Sequence, residues 1–192
     1  MKGPMIAVVA VIAVILLIVV GTIIWMVASY NGLVTMEENV DASWAQVENQ
    51  YQRKFDLIPQ LVAAVEDYQE FENSTLTEIT ALRTQWQNAD TQEEQIDTAN
   101  QLDTALRSII LTYESYPYLQ SVVVVRDLMI ELEGTENRIT VERMRYNEDV
   151  RDFNKEIKKF PKVIIANMFG YSKAELFEIE DASVREVPEV KF

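Results

Sequence analysis

The amino-acid sequence predicts an all-α protein in which a single N-terminal transmembrane helix precedes a water-exposed helical bundle. The first observation is that residues 5–28 carry no charge and are almost entirely aliphatic. The second is that, beyond this segment, apolar residues recur at steps of three and four while glycine and proline are scarce. Such spacing is typical of amphipathic helices. Only residues 122–125 read as a strand, and because a lone strand has no pairing partner we expect helix there too.

The N-terminal segment is long enough to be a membrane anchor, since about 20 apolar residues cross the hydrocarbon core of a bilayer. Trp25 and Tyr30 lie at its far end, where amphipathic aromatic rings favour the headgroup layer. A cleaved signal peptide is the alternative, but its apolar region usually has about 7 to 15 residues. We therefore predict a retained transmembrane helix at residues 5–28, preceded by a short tail at residues 1–4.

The first helix of the bundle can continue the membrane helix without a break. Its apolar stripe alternates steps of three and four and is broken only by Lys54, a pattern typical of a helix packed in a bundle. Pro59 interrupts the stripe, and because proline removes one backbone hydrogen bond and clashes with the preceding turn, we predict a kink over residues 55–58. The stripe consists of Trp44, Val47, Tyr51, Ile58, Leu61, Val65 and Tyr68.

A second helix is predicted to begin at Thr75, because Thr75 and Glu78 have the spacing of a capping box. It ends before a polar loop at residues 87–93. Its core positions are Leu76, Ile79, Leu82 and Trp86.

Two further helices complete the predicted bundle. The third runs from Glu94 to the residue before Tyr116, because a residue that precedes proline disfavours helix. The fourth, the longest, runs from Tyr118 to Phe160 and is ended by Pro161. The third presents Ile96, Ala99, Leu102, Leu106, Ile109 and Tyr113, and the fourth Val125, Leu128, Leu132, Thr135, Ile139, Tyr146, Val150, Phe153, Ile157 and Phe160.

The C-terminal region is predicted to be less regular. Gly170 is expected to form a left-handed turn that ends the bundle domain, which we assign to residues 29–170. Residues 171–192 then form a short amphipathic piece, around residues 174–179, and an extended, mobile tail at residues 188–192.

Composition excludes several classes of function. The chain has no histidine and no cysteine, so disulfides, thiolate nucleophiles, zinc–thiolate sites and a diiron bundle built on Glu-x-x-His pairs are ruled out. The formal net charge of −14 predicts repulsion of phosphate backbones and of anionic lipid, so nucleic acid is not an expected partner. No Asp-x-Asp-x-Asp-Gly calcium loop is present, and we predict no metal and no cofactor.

Several short strings go beyond helical periodicity, and in their order along the chain they resemble the LemA family. The resemblance covers about residues 29–192. The strings are Tyr30-Asn31, Trp44-Ala45-Gln46-Val47, Asp56-Leu57-Ile58-Pro59, Gly134-Thr135-Glu136-Asn137-Arg138-Ile139, Tyr146-Asn147, Phe160-Pro161 and Phe169-Gly170.

The resemblance to the LemA family implies an N-terminal membrane helix followed by an antiparallel four-helix bundle. It supplies no active site, because the molecular function of that family is not established. It also implies a short N-terminus outside the cell and a cytoplasmic bundle. Lys2 favours the opposite orientation, because no other basic residue precedes Arg53 and positive charge near a span favours the cytoplasmic side. The side of the membrane therefore stays open.

Seven polar residues are candidates for a charge network between the first and fourth predicted helices. In an antiparallel bundle the middles of these two helices face each other, so we predict partly buried ion pairs that fix helix register. Solvent exposure is the alternative and is usual for charged residues. The residues are Arg53, Lys54, Asp56, Glu131, Glu136, Asn137 and Arg138.

The function predicted from these features is a non-catalytic interaction or scaffold module at the cell membrane. It would be held by the bilayer through residues 5–28 and would bind another protein through a helical face. One alternative is a carboxylate-based hydrolase, which needs two carboxylates in a cleft with pKa values driven apart by their environment. The other is an accessory subunit of a membrane enzyme or transporter.

Overall fold

The computed structural model describes residues 3–65 and 73–178, without the side chains of residues 3–7, 65, 73–76 and 112. Every regular element in these ranges is a helix, so the predicted all-α class, a long apolar N-terminal helix followed by a helical bundle, is confirmed. The helices are α1 (Gly3–Val65), α2 (Asn73–Gln87), α3 (Gln92–Ser115), α4 (Pro117–Ser121), α5 (Val123–Glu156) and α6 (Lys162–Phe169).

Helix α1 unites the apolar segment and the first bundle helix in one element. It contains Pro59 and continues to Val65, and the predicted kink before Pro59 stays a prediction. Every side chain from Val8 to Trp25 is exposed, whereas Ser29 is buried. Within the described ranges, α1 is the one helix long and apolar enough to cross a membrane.

Helix α2 begins at Asn73, so the predicted start at Thr75 is wrong, because Thr75 is already helical. Side-chain capping is seen at the start of α3. Thr91 has the extended backbone of an N-cap, and its hydroxyl accepts a hydrogen bond from the Glu94 backbone N–H at 3.2 Å. The Glu94 carboxylate accepts from the Asp90 backbone N–H at 2.9 Å. The loop between α2 and α3 comprises residues 88–91, so it is shorter than the predicted loop at residues 87–93.

The predicted long fourth helix is wrong in its extent, because the chain is extended at Val122 and divides into α4 and α5. Leu119 and Val125 are both buried. On a continuous helix of 3.6 residues per turn these two side chains would face different directions, so the break lets both reach the core. Residues 123–125 are helical, as expected for valines without a partner strand.

The C-terminal end of the predicted fourth helix also differs. Helix α5 ends at Glu156, and turns lead through a cis Phe160–Pro161 bond into α6. Gly170 has φ +80° after α6, which confirms the predicted left-handed turn.

The chain forms two compact units. Unit 1 comprises residues 1–42 and 148–174, and unit 2 comprises residues 43–147 and 175–192. The domain boundary predicted at residue 170 stays a prediction. The core of unit 1 contains Leu33, Val40, Val150, Phe153, Ile157, Ile165 and Ala166, and that of unit 2 is rich in aromatic side chains, among them Tyr51, Phe55, Trp86, Tyr146 and Phe177.

Residues 171–178 form no helix, and side-chain amides of α5 bind their backbone. In unit 1, Asn154 donates to the carbonyl of Ala174 at 2.8 Å and accepts from its N–H at 2.9 Å. In unit 2, Asn147 makes the same reciprocal pair with Phe177, at 2.9 and 2.8 Å. The Tyr146 hydroxyl donates to the carbonyl of Glu175 at 2.7 Å. The predicted tail at residues 188–192 lies outside the described residues.

The backbone of Gly170 gives a test of the turn after α6. Alanine at this position is strained at positive φ, so we expect Gly170→Ala to lower the free energy of unfolding by about 1–2 kcal/mol. An added Cβ would meet no atom within 4 Å, so the expected loss comes from backbone strain rather than from a steric clash. The measurement is thermal unfolding of the full chain in detergent, followed by circular dichroism.

Gly134→Ala is the matched control, because Gly134 lies inside α5 and also has open space around an added Cβ. Alanine favours helix over glycine, so this change should raise stability by about 0.5–1 kcal/mol. Equal effects of the two substitutions would contradict the left-handed turn.

Candidate functional site

Four charged side chains of unit 2 meet between α1, α3 and α5, and we call them the charge cluster: Lys54, Asp103, Glu136 and Arg143. Lys54 is 2% exposed and donates to Asp103 Oδ1 at 2.6 Å and to Glu136 Oε2. Arg143 donates to Asp103 Oδ2. The Tyr51 hydroxyl also donates to Asp103 Oδ2, at 3.1 Å. Asp103 therefore accepts hydrogen bonds from both neighbouring helices.

Burial dominates the electrostatics of this cluster. It raises the pKa of Asp103 to about 6, against the opposing attraction of Lys54. Burial also lowers the pKa of Arg143 to about 10, so the guanidinium stays charged near neutral pH. Because an unpaired buried charge is costly, each of these groups depends on its partners.

Aromatic rings surround the arginine of the cluster. The guanidinium carbon of Arg143 lies 4.1 Å from the centroid of the Phe177 ring and 5.3 Å from that of Tyr51. Such contacts favour a cation that has lost water. Arg143 Nε is buried and has no hydrogen-bond partner among the described residues, so the rings and Asp103 are its main stabilising neighbours.

A pocket of about 410 Å³ opens beside the cluster within unit 2. Its wall combines aliphatic side chains with cationic, anionic and amide groups, so it could hold a small polar molecule. It is lined by Lys54, Asp103, Leu106, Arg107, Ile110, Leu132, Glu133, Glu136 and Asn137.

The structure brings two pairs of the predicted polar set together. Arg53 donates to Glu131 at 2.8 Å, but both side chains are about half exposed. Lys54 and Glu136 form the second pair, with the lysine fully buried. Both pairs join α1 to α5. Their role in fixing helix register stays a prediction.

The other members of the predicted set lie elsewhere. Asp56 pairs with Arg83 of α2 at 3.2 Å rather than with α5. Asn137 is exposed and lines the pocket, and Arg138 is exposed.

Sequence reasoning missed Asp103 and Arg143. One signal was available: Arg143 lies on the apolar stripe of α5, between Ile139 and Tyr146, as Lys54 does on that of α1. Two cations on buried stripes require buried anions. Asp103 itself follows Leu102 at the edge of the stripe of α3, and no local pattern identifies it as the partner.

The acidic side chains of the site and their hydrogen bonds limit the chemistry that the site can perform. No group of three or more acidic side chains that could hold a metal ion occurs among the residues that the structure describes. Both oxygens of Asp103 already accept hydrogen bonds, and Glu136 shares Lys54 with Asp103. A general acid or base must instead reach a proton of the substrate. With both oxygens engaged, Asp103 would reach a substrate proton only after losing one of these contacts.

Comparison with known proteins identifies similar chains. Residues 43–192 match the LemA family. Magnetosome proteins MamQ 1 and MamQ 2 of Paramagnetospirillum magneticum are each 27% identical over 190 residues, covering 85% of this chain and 70% of the relative. Protein LemA of Metamycoplasma hominis is 20% identical over 152 residues, covering 79% of this chain and 69% of the relative.

Replacing the buried Lys54 tests how much the charge cluster contributes to the free energy of unfolding. Lys54→Met leaves Asp103 and Glu136 without their shared cation, so we expect a loss of about 3–5 kcal/mol in the free energy of unfolding. Arg53→Met is the matched control, because the neighbouring Arg53 makes an exposed ion pair worth at most about 1 kcal/mol. Urea unfolding of the full chain in detergent measures both. Equal losses would contradict the expectation that the buried cation contributes more stability than an exposed one.

The raised pKa of Asp103 predicts a pH effect of definite sign. A carboxyl whose pKa rises from 3.8 to about 6 on folding stabilises the fold most when protonated. This contribution is complete below about pH 4 and is lost as the pH rises to about 6. The stability of the native chain minus that of Asp103→Asn should therefore fall by about 2 kcal/mol across this range.

The control for the pH series is Asp97→Asn, which removes an exposed negative charge from the same helix. A difference between native chain and Asp103→Asn that rises with pH would show that Asp103 is stabilised as the carboxylate instead.

Proposed function

The chain belongs to the LemA family, and on this premise we propose that it is a single-pass membrane protein whose helical bundle binds a partner protein without catalysing a reaction. The relatives from P. magneticum are named as magnetosome proteins, and neither that name nor "Protein LemA" states a reaction. The proposal therefore rests on the geometry of this chain.

The observation that carries the proposal is the change of exposure along α1. Side chains from Val8 to Trp25 are apolar or uncharged and are exposed, while Ser29, Leu33 and Val40 are buried by the protein. Monomeric soluble proteins rarely expose so large an apolar surface. A bilayer would cover the first part of the helix, and the protein buries one face of the rest, so the anchor ends near Ser29.

A second exposed surface is suited to a partner protein. We call it the α4 patch, and its members lie within a short stretch of unit 2 around α4. Tyrosine is enriched at protein interfaces, and clustered apolar exposure marks interaction sites. The patch consists of Leu111, Tyr116, Tyr118, Val123 and Val124.

A carboxylate-based hydrolase is the second candidate, and the pocket beside Asp103 and Glu136 favours it. The raised pKa of Asp103 would suit a general acid at mildly acidic pH. Its oxygens, however, are both occupied by side chains, so a substrate would first have to displace Lys54 or Arg143. Binding by the bundle is therefore the function we favour. A membrane enzyme or transporter, with this chain as accessory subunit, is one class of partner.

The proposal is tested by affinity purification of the tagged full chain from gently solubilised native membranes, with mass spectrometry of bait and companions. We expect a stoichiometric partner with the native chain and its loss with the double variant Tyr118→Asp and Val124→Asp, because two carboxylates in an apolar contact are desolvated without a counter-charge. We also expect bait peptides from residues 1–28, which a cleaved chain would lack.

Met144→Asp is the matched control, since Met144 is exposed on α5 and lies outside the α4 patch. It should retain the partner. A bait recovered alone, or a partner lost equally from both variants, would count against the α4 patch. A bait without residues 1–28 would overturn the anchor.

A further inference from the structure

The segment at residues 158–169 of unit 1, which we call the α6 segment, exposes an unusual set of apolar side chains. Ile164 and Met168 lie one turn apart on α6 and are both more than half exposed, although Ile165 and Ala166 are buried in the core of unit 1. The helix is thus apolar on two faces and buries one of them. The exposed members are Phe160 (83%), Ile164, Met168 and Phe169.

The α6 segment lies beside the end of the proposed membrane span. The ring of Phe169 is 4.5 Å from the ring of Tyr30 in α1, centroid to centroid. Tyr30 follows Ser29, the first buried residue after the exposed apolar stretch. An amphipathic ring at this point of a transmembrane helix sits at headgroup level. Phe169 therefore lies at the same level, within one unit of the structure.

Lysines accompany these apolar side chains, although the chain as a whole has 31 acidic and 17 basic residues. Lys158 and Lys159 precede Phe160, and Lys162 begins α6. Glu156 pairs with Lys159 and with Lys162, the latter at 2.6 Å. These hydrogen bonds lower the pKa of Glu156 to about 2, so the carboxylate stays ionised and holds α6 to the end of α5.

The charge balance of the α6 segment is therefore positive, in contrast to the acidic chain. Three lysines face one glutamate, and Lys158 is exposed outside the pairs of Glu156. Lysine stems can lie along apolar surface while the ammonium groups reach lipid phosphates. The repulsion of anionic lipid predicted from net charge would not hold at this end of unit 1.

From these contacts we propose that the α6 segment lies in the headgroup layer of the bilayer that α1 spans, with its exposed apolar side chains at the acyl boundary and its lysines toward lipid phosphates. This rests on the proposed anchoring of α1. The occupant is the lipid surface rather than a protein, because the apolar face adjoins the end of the span and is bordered by cations. Tethering by α1 raises the local concentration, so a small apolar area suffices.

The absence of native cysteine allows a clean test by site-directed spin labelling. Ile164→Cys and Met168→Cys are labelled singly in the full chain and reconstituted in vesicles of phosphatidylcholine and phosphatidylglycerol. We expect accessibility to a water-soluble nickel complex to be several-fold lower than at Met144→Cys, with high accessibility to oxygen. Their ratio should place both labels about 5–10 Å into the headgroup and acyl boundary. Leu16→Cys should be deeper.

The possible results separate the two proposals. A Leu16 label in lipid together with Ile164 and Met168 labels as water-accessible as that of Met144 would overturn the interfacial location and leave the anchor intact. Low accessibility to both nickel and oxygen at Ile164 would show a protein covering, and spin–spin broadening would identify a second copy; either overturns the lipid contact. A water-accessible Leu16 label would overturn the anchor and the inference with it.

Discussion

The buried ammonium group of Lys54 is the constraint on which unit 2 depends. A cation at this depth is tolerated only with anions in contact, and both anions come from other helices, Asp103 from α3 and Glu136 from α5. Asp103 in turn neutralises Arg143 of α5. A shift of any one helix by a single residue would leave a buried charge unpaired. Apolar packing alone would tolerate such shifts more easily, so we expect the cluster to favour one register of these helices.

Local sequence patterns predicted much of the fold, whereas the parts that were missed depend on contacts between helices distant in sequence. The charge-free run of α1 and the apolar periodicity of α2, α3 and α5 can be read from residues that are close together in the sequence. The break at Val122 cannot, because it accompanies the burial of both Leu119 and Val125, which depends on other helices. Thr75 and Thr91 both precede a glutamate by three residues, yet Thr75 lies inside α2, whereas Thr91 is the N-cap of α3. Likewise Lys54 is visible as a charge on a stripe, while its partner Asp103 depends on the pairing of distant helices.

The strings that carry the family resemblance coincide with contacts between helices. Glu136, in the string of residues 134–139, pairs with Lys54, which lies two residues before the string of residues 56–59. In unit 1, Tyr30 and Phe169 belong to two further strings, and their rings touch. In these two cases the matching residues form contacts between helices. Contacts of this kind can be shared through a common architecture, so the resemblance does not define what the exposed surfaces bind.

The amide pairs on α5 have a further consequence for how the chain can vary. Asn147 binds the backbone of Phe177 through both its donor and its acceptor, and Tyr146 binds the carbonyl of Glu175. These contacts recognise peptide groups and ignore side chains. Within the bound segment, the identity of the side chain therefore matters mainly at Phe177, which is buried. Its exposed neighbours can be substituted without loss of these hydrogen bonds. The backbone of this stretch therefore keeps its position while its surface side chains are free to vary.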